Sequence, residues 1–178
     1  MNFNLQLFAE AAKKTPVDGK KIIYLFRVLS KASETDAVAM AFTTENERSK
    51  SNESDKIATK DGDIVLPQIE TEISTTAILA VGDTLADDLE DAMDKAEKIE
   101  IWEANLAEPV GENTNQFKGR YYQGYLNEFT LSSSAEDHTE YECTFAIGDA
   151  GKKGSVTVTA EQQAAAEYVF ADTKKTGA

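Results

Sequence analysis

The chain of 178 residues has a single cysteine, Cys143, and a single histidine, His138. One cysteine excludes an internal disulfide framework, and one histidine excludes any site built on two imidazoles. No apolar run approaches the roughly 20 residues that a membrane span requires. The short apolar stretch from Leu5 to Phe8 is followed, not preceded, by Lys13 and Lys14. It therefore reads poorly as a signal peptide, and the expectation is a reduced, soluble, cytosolic product. Basic residues are also scarce: 18 Lys and Arg stand against 32 Asp and Glu, a net charge of −14. That shortage excludes a large basic face of the kind that neutralises nucleic-acid phosphates or anionic lipid.

Catalytic signatures are missing too. No CxxC, HExxH or P-loop occurs, and Gly119 and Gly124 lie within a strand pattern that makes no phosphate cradle. Asp55, Asp61 and Asp63 lack the calcium-loop spacing and its terminal glutamate. His138 sits in a turn, Ala135-Glu136-Asp137-His138. Cys143 has the inward parity of its strand and reads as an inert buried thiol. Carboxylates two apart, such as Glu70 with Glu72 and Glu140 with Glu142, could mimic a glycosidase pair. Among 32 acids such pairs arise by chance. The expectation is a protein that is not an enzyme and uses no cofactor or metal.

What is present is a folding composition, 41% hydrophobic with mixed charge. A chain of this length buries roughly 70% of its unfolded surface, enough for one domain. The charge is uneven. Residues 1–31 hold six basic and two acidic groups, and residues 32–178 hold 12 basic and 30 acidic groups. The basic start could dock on another copy's acidic body, or it could be a solvated tail.

Residues 1–18 read as an arm ending in a turn-like cluster from Thr15 to Gly19. Residues 20–30 and Val38 to Thr44 read as strands. Residues 45–63 break the pattern, with only Ile57 and Ala58 apolar, and read as a long functional loop. The β signal returns from Ile64 to Leu79. Residues 83–97 switch to helical period, with Leu85, Leu89, Ala92, Met93 and Ala96 on one stripe. Thr84 and Asp87 have capping-box spacing.

Lys98 to Leu106 reads as a strand, 109–116 as a polar loop, and Arg120 to Leu131 as a strand with Tyr121, Tyr125, Phe129 and Leu131 on one parity. His138 to Ile147 places Tyr141, Cys143, Phe145 and Ile147 on one face. A turn at 148–151 leads to a short strand through Val156 and Val158. Thr159 and Gln162 open a helix to about Phe170, and 172–178 form a polar tail. Seven strands around one internal helix suggest a mainly β protein, an antiparallel sandwich or barrel flanked by an α-helix.

Carboxylates recur on the polar strand faces: Glu70, Glu72, Glu100, Glu128, Glu140 and Glu142. Ordinary solvated surface accounts for them. The sharper reading is one acidic sheet face, presented toward something that must not stick.

The order of these features resembles the major tail protein, or tail tube protein, family of long-tailed non-contractile bacteriophages. The segments carrying the resemblance are GKKIIYLFRVLS at 19–30, TTENERSKSNESDKIATKDGDI at 43–64 and ETEISTTAILAVGDTLADDLEDAM at 70–93. IEIWEANL at 99–106, GRYYQGYLNEFTLSSSAED at 119–137 and the closing AEQQAAAEYVFADT complete it. The arm at 1–18 matches less and takes no family role.

The resemblance implies a sandwich domain over 19–171 and subunits joined in hexameric rings. The rings stack into a tube around a tape-measure protein, with tail terminator and tail-tip proteins as further partners. DNA leaves through the bore without specific binding. It implies assembly in the host cytoplasm and a place in the virion tail. The 45–63 loop would contact the adjacent ring through Glu47, Arg48, Lys50, Asp55, Lys56, Lys60 and Asp61. Glu70, Glu72, Glu140 and Glu142 are candidates for the bore wall. A tube subunit of a contractile or type VI-like secretion machine shares this architecture, and a sugar-binding sandwich is a weaker rival.

Overall fold

In a computed structural model, residues 14–112 and 115–166 are described, with Asp55 by its backbone alone. The proposed arm at 1–18 lies mostly outside these residues, and the tail at 172–178 wholly so. Seven strands form one antiparallel sheet: β1 Ile22–Val28, β2 Thr43–Thr59, β3 Gly62–Ile78, β4 Ile99–Pro109, β5 Gln116–Ser132, β6 Glu140–Ile147 and β7 Lys152–Thr157. Their order is β1-β4-β5-β6-β3-β2, with β7 also paired to β5. Helix α1 spans Leu85–Asp94 and helix α2 Ala160–Ala166. The mainly β, helix-flanked expectation is borne out.

The long β5 changes neighbours midway. Its first half pairs with β4 and β7, its second half with β6, and Gly124 faces both Ile99 and Ile147 at the hand-over. A β-carbon on Gly124 would lie 2.4 Å from the Ala146 carbonyl oxygen, and one on Gly119 would lie 2.2 Å from that of Glu103. Crowding by neighbouring backbone is why this strand carries two glycines.

The sheet curls until its inner face closes on itself. Phe26 of β1 stacks on Phe145 of β6 with ring centroids 5.2 Å apart, although β4 and β5 separate those strands in the sheet order. Ile73, Ile101, Tyr122, Tyr141 and Cys143 fill the enclosed space, and Leu85, Leu89 and Ala92 of α1 close it. A second cluster, Leu25, Ala104, Leu106, Phe117, Val156 and Val158, packs on the reverse side of β1 and β4, with Ala166 of α2 against it. Each such large apolar side chain contributes about 1.5–3 kcal/mol by leaving water.

Several local expectations change. Residues 45–63 are not an irregular loop. β2 and β3 form a hairpin whose register holds from Glu45↔Thr76 to Thr59↔Gly62. β2 lacks apolar alternation because only the root of the ribbon covers the core. Val38 makes a single bridge to Phe26 rather than opening a strand. Phe42, at φ 48°, interrupts the chain before β2 begins.

The strand expected at 20–30 is trimmed to Ile22–Val28 by a 3-10 turn at each end. Thr84 makes no side-chain cap. The Leu85 amide donates instead to Asp83 Oδ1 at 2.9 Å. On β5 the buried parity is Tyr122 and Leu126, while Tyr125 and Leu131 are exposed. A bulge between Leu126 and Glu128 then returns Phe129 toward the core. The Thr159 capping box is present. The Gln162 amide donates to Thr159 Oγ1 at 3.2 Å, and the Thr159 amide to Gln162 Oε1 at 3.0 Å. The end of this helix near Phe170 lies outside the described residues.

Candidate functional site

Residues directly opposite in an antiparallel ladder point to the same side of the sheet. The register therefore shows which carboxylates share a face. One row reads Glu47, Ser74, Thr144, Glu128 across β2, β3, β6 and β5. The next reads Glu45, Thr76, Glu142, Thr130. A row toward the hairpin tip holds Ser49, Glu72, Ala146 and Tyr125, and beyond it Ser51 faces Glu70. At the other end Ile78, Glu140 and Ser132 align.

Glu70, Glu72, Glu140 and Glu142 thus lie on one outward face, and all four are exposed. Glu45, Glu47 and Glu128 join them, and among the described residues the one cation that meets these rows is Lys98, whose Nζ stands 5.9 Å from the Tyr125 ring centroid at the end of its row. Within a row each glutamate neighbours a serine, threonine, alanine or isoleucine, never another glutamate. Directly opposed like charges are avoided, and the outcome is a lattice of carboxylates and hydroxyls. Glu100, expected on a polar strand face, belongs elsewhere. It is 6% exposed, bound by Arg27 Nε at 2.8 Å and by the Tyr121 hydroxyl at 2.6 Å.

The residues expected in the inter-ring segment separate into three positions. Glu47 sits at the hairpin root on the acidic face. Arg48, on the opposite face, is tied to the body: its Nε donates to Glu103 Oε2 at 2.6 Å, and the Tyr24 hydroxyl donates to the same oxygen at 3.1 Å. Burial, and then the Glu103 charge, push the Tyr24 hydroxyl well above its usual range. Lys50 and Lys56 follow Arg48 along its face, opposite Thr71 and Val65. Asp55 pairs through its backbone with Leu66, and Lys60 with Asp61 forms the two-residue tip between Thr59 and Gly62.

Neighbouring residues of β2 therefore alternate in charge: Glu45 and Glu47 outward, Arg48 and Lys50 inward. That two-residue period, carried by charge and not by hydropathy, was the available sequence signal for the strand.

Neither lone side chain supports catalysis. Cys143 is buried, and burial followed by the Glu142 charge pushes its thiol up to about 12, so it holds almost no thiolate near neutrality. His138 lies exposed in its turn. Among the described residues no three His, Cys, Asp or Glu side chains group to hold a metal ion. No described helix is long and apolar enough to cross a membrane.

A family model described as phage tail tube protein matches residues 16–152. A protein assigned to the tail of Staphylococcus phage phiMR25 is 34% identical over 163 residues, which is 88% of this chain and 82% of that protein. The SPP1 tail tube structure aligns over 92% of this chain and 95% of its own, with a TM-score of 0.65 at 16% identity. The tail of an empty gene transfer agent particle aligns over 77% and 98%, with a TM-score of 0.57 at 12% identity. These last two show the shared fold. The family is one of structural proteins and not of enzymes. With most of its length inside the family's pattern and a phage relative along nearly all of it, the chain belongs to the phage tail tube protein family and is a structural component of the virion tail.

Proposed function

We infer that copies of this chain close into hexameric rings that stack into a tube, and that the glutamate-hydroxyl face lines its bore. The C6 symmetry given for the gene transfer agent tail supports six copies per ring. The carrying observation is the sheet face of seven glutamates, Glu45, Glu47, Glu70, Glu72, Glu128, Glu140 and Glu142, met by one lysine at its margin, Lys98 over the Tyr125 ring. Such a cluster costs self-repulsion and gives nothing to the core. As a bore wall it repels DNA phosphates. With a Debye length of about 8 Å at physiological salt, the repulsion acts only at close approach and prevents adhesion rather than steering.

On this reading a tape-measure protein fills the bore during assembly in the host cytoplasm. Terminator and tail-tip proteins finish the two ends. The β2–β3 hairpin, projecting past the body, bridges to the next ring. No catalytic step is assigned to the chain.

The test is a phage carrying lysine at Glu70, Glu72, Glu140 and Glu142, with tail morphology and DNA release scored separately. Normal tails with impaired release are expected, because phosphates would exchange counterions for fixed ammonium groups. Normal release from tails whose four lysines line the bore would defeat the electrostatic role.

A further inference from the structure

The two ends of the long hairpin strands differ in charge, and both expose apolar side chains. At the body end, segments 39–45, 76–84 and 129–142 meet. The Ile78 amide donates to the Phe42 carbonyl at 3.2 Å, and the Leu79 amide to that of Thr139 at 2.8 Å. Leu131 pairs with Tyr141, which pairs with Ala77. Phe42 is 69% exposed, Val81 is fully exposed, and Leu79 and Leu131 are exposed beside them. These three segments carry Glu45, Asp83, Glu136, Asp137, Glu140 and Glu142, and no lysine or arginine.

Phe42 holds a left-handed backbone at φ 48°, which a β-carbon disfavours. Its ring is too exposed for core packing to account for that strain, and strained residues of this kind cluster at functional positions.

The other end is the hairpin beyond Thr71, where β3 no longer pairs with β6. The side of the ribbon that continues the body's interior carries Lys50 and Lys56 against one carboxylate, Asp63, beside Val65, Pro67 and Ile69. Val65 and Ile69 are exposed. Among the described side chains, no carboxylate pairs with either lysine.

We propose that the basic, apolar side of one copy's hairpin seats on the acidic, apolar end of a second copy, with Phe42 and Val81 as the anchors. Three segments without lysine or arginine and a ribbon whose Lys50 and Lys56 pair with no described carboxylate are complementary in charge and alike in exposed apolar surface. They sit at opposite ends of the same strands, so the contact is head-to-tail. Each copy offers one of each, so the same contact repeats from copy to copy. This rests on the reading that copies stack through the hairpin, and it adds which residues of the next copy receive it.

Two full-length variants test the contact. Lys50→Glu with Lys56→Glu disables the hairpin. Phe42→Asn with Val81→Lys disables the receiving end, the new ammonium opposing the hairpin's lysines and asparagine tolerating left-handed backbone. Val81→Lys alone, at a fully exposed position, serves if the double variant does not fold. Each preparation alone is expected to stop at unstacked particles in sedimentation. When the separate preparations are mixed, intact hairpins meet intact receiving ends, and particles of twice the mass are expected, with no tubes. A mixture showing only the original particles overturns the pairing of these surfaces, as do normal tubes from the receiving-end variant. Normal tubes from the hairpin variant overturn the pairing as well, whereas normal tubes after removal of residues 53–68 would overturn the stacking reading itself.

Discussion

Arg48 on the edge strand β2 donates to Glu103 on β4 at 2.6 Å, although β3, β6 and β5 lie between those strands in the sheet. The pair closes the curl of the sheet at the hairpin root. Its side chains are 29% and 15% exposed, so it is more shielded than a surface ion pair. Arg48→Met leaves the Glu103 carboxylate part-buried, with the Tyr24 hydroxyl as donor. A loss of about 1–3 kcal/mol is expected, between surface and buried pairs. Urea titration against Glu103→Gln measures it. The glutamine variant should lose less, because the Arg48 guanidinium it leaves unpaired is the more exposed of the two partners and the glutamine oxygen still accepts from it.

Shortening the hairpin separates its role from the body's stability. Removing residues 53–68 and joining Asn52 to Ile69 through an Asn-Gly turn retains the β3–β6 register and the Arg48 anchor. The expected product melts as a folded domain but does not extend tubes under electron microscopy. Tubes of normal length would show that the distal hairpin does not bridge rings.

Helix α1 should distinguish its two sides. Leu89 is 0% exposed, and Leu89→Ala is expected to cost about 2–5 kcal/mol, the range for emptying a packed leucine site. Asp91 lies on the exposed side, paired with Lys95 at 2.8 Å, and Asp91→Ala should leave the denaturant midpoint nearly unchanged. Equal small shifts would mean the helix is not docked.

Alkaline pH should loosen the fold. Burial, more than the neighbouring acids, raises the Cys143 thiol to about 12 from an ordinary 9.0. Burial also leads in raising the Tyr24 and Tyr141 hydroxyls above their ordinary 10.0. The folded chain therefore holds these protons more tightly than the unfolded chain. Their stabilisation is complete below about pH 9 and is lost as pH rises toward and past 12, by up to about 1.4 kcal/mol per pH unit for each group. Urea midpoints should be flat from pH 7 to 8.5 and fall above it. Cys143→Ala should flatten the first part of that fall. A midpoint unchanged at pH 11 would contradict the burial of these groups.

What could be read beforehand follows the range of the forces involved. The α1 stripe at Leu85, Leu89 and Ala92, the inward set of β6 and the Thr159–Gln162 cap depend on neighbours within a few residues, and these are present. Met93, expected on the stripe, is exposed, and Ala96 lies past the helix end with φ 50°. The β5 parity failed because the bulge after Leu126 is invisible in its own alternation. Glu100 reads as surface until Arg27, 73 positions away, is seen to bind it. The four proposed bore glutamates share a face by strand parity alone. Glu45, Glu47 and Glu128 could be added only through a register that spans four strands.

Along β2, whether a residue number is odd or even decides which sign of charge it carries, from Glu45 and Glu47 against Arg48 and Lys50. This bears on how such a gene can change. Loss of one codon between them would turn the following side chains over and bring carboxylates to the inner side. Loss of two codons from each strand would only shorten the ribbon, by about 7 Å at the usual strand rise. Hairpin length is therefore expected to drift between descendants in matched steps of two, and single-codon insertions and deletions to be disfavoured even where every side chain is solvent-exposed.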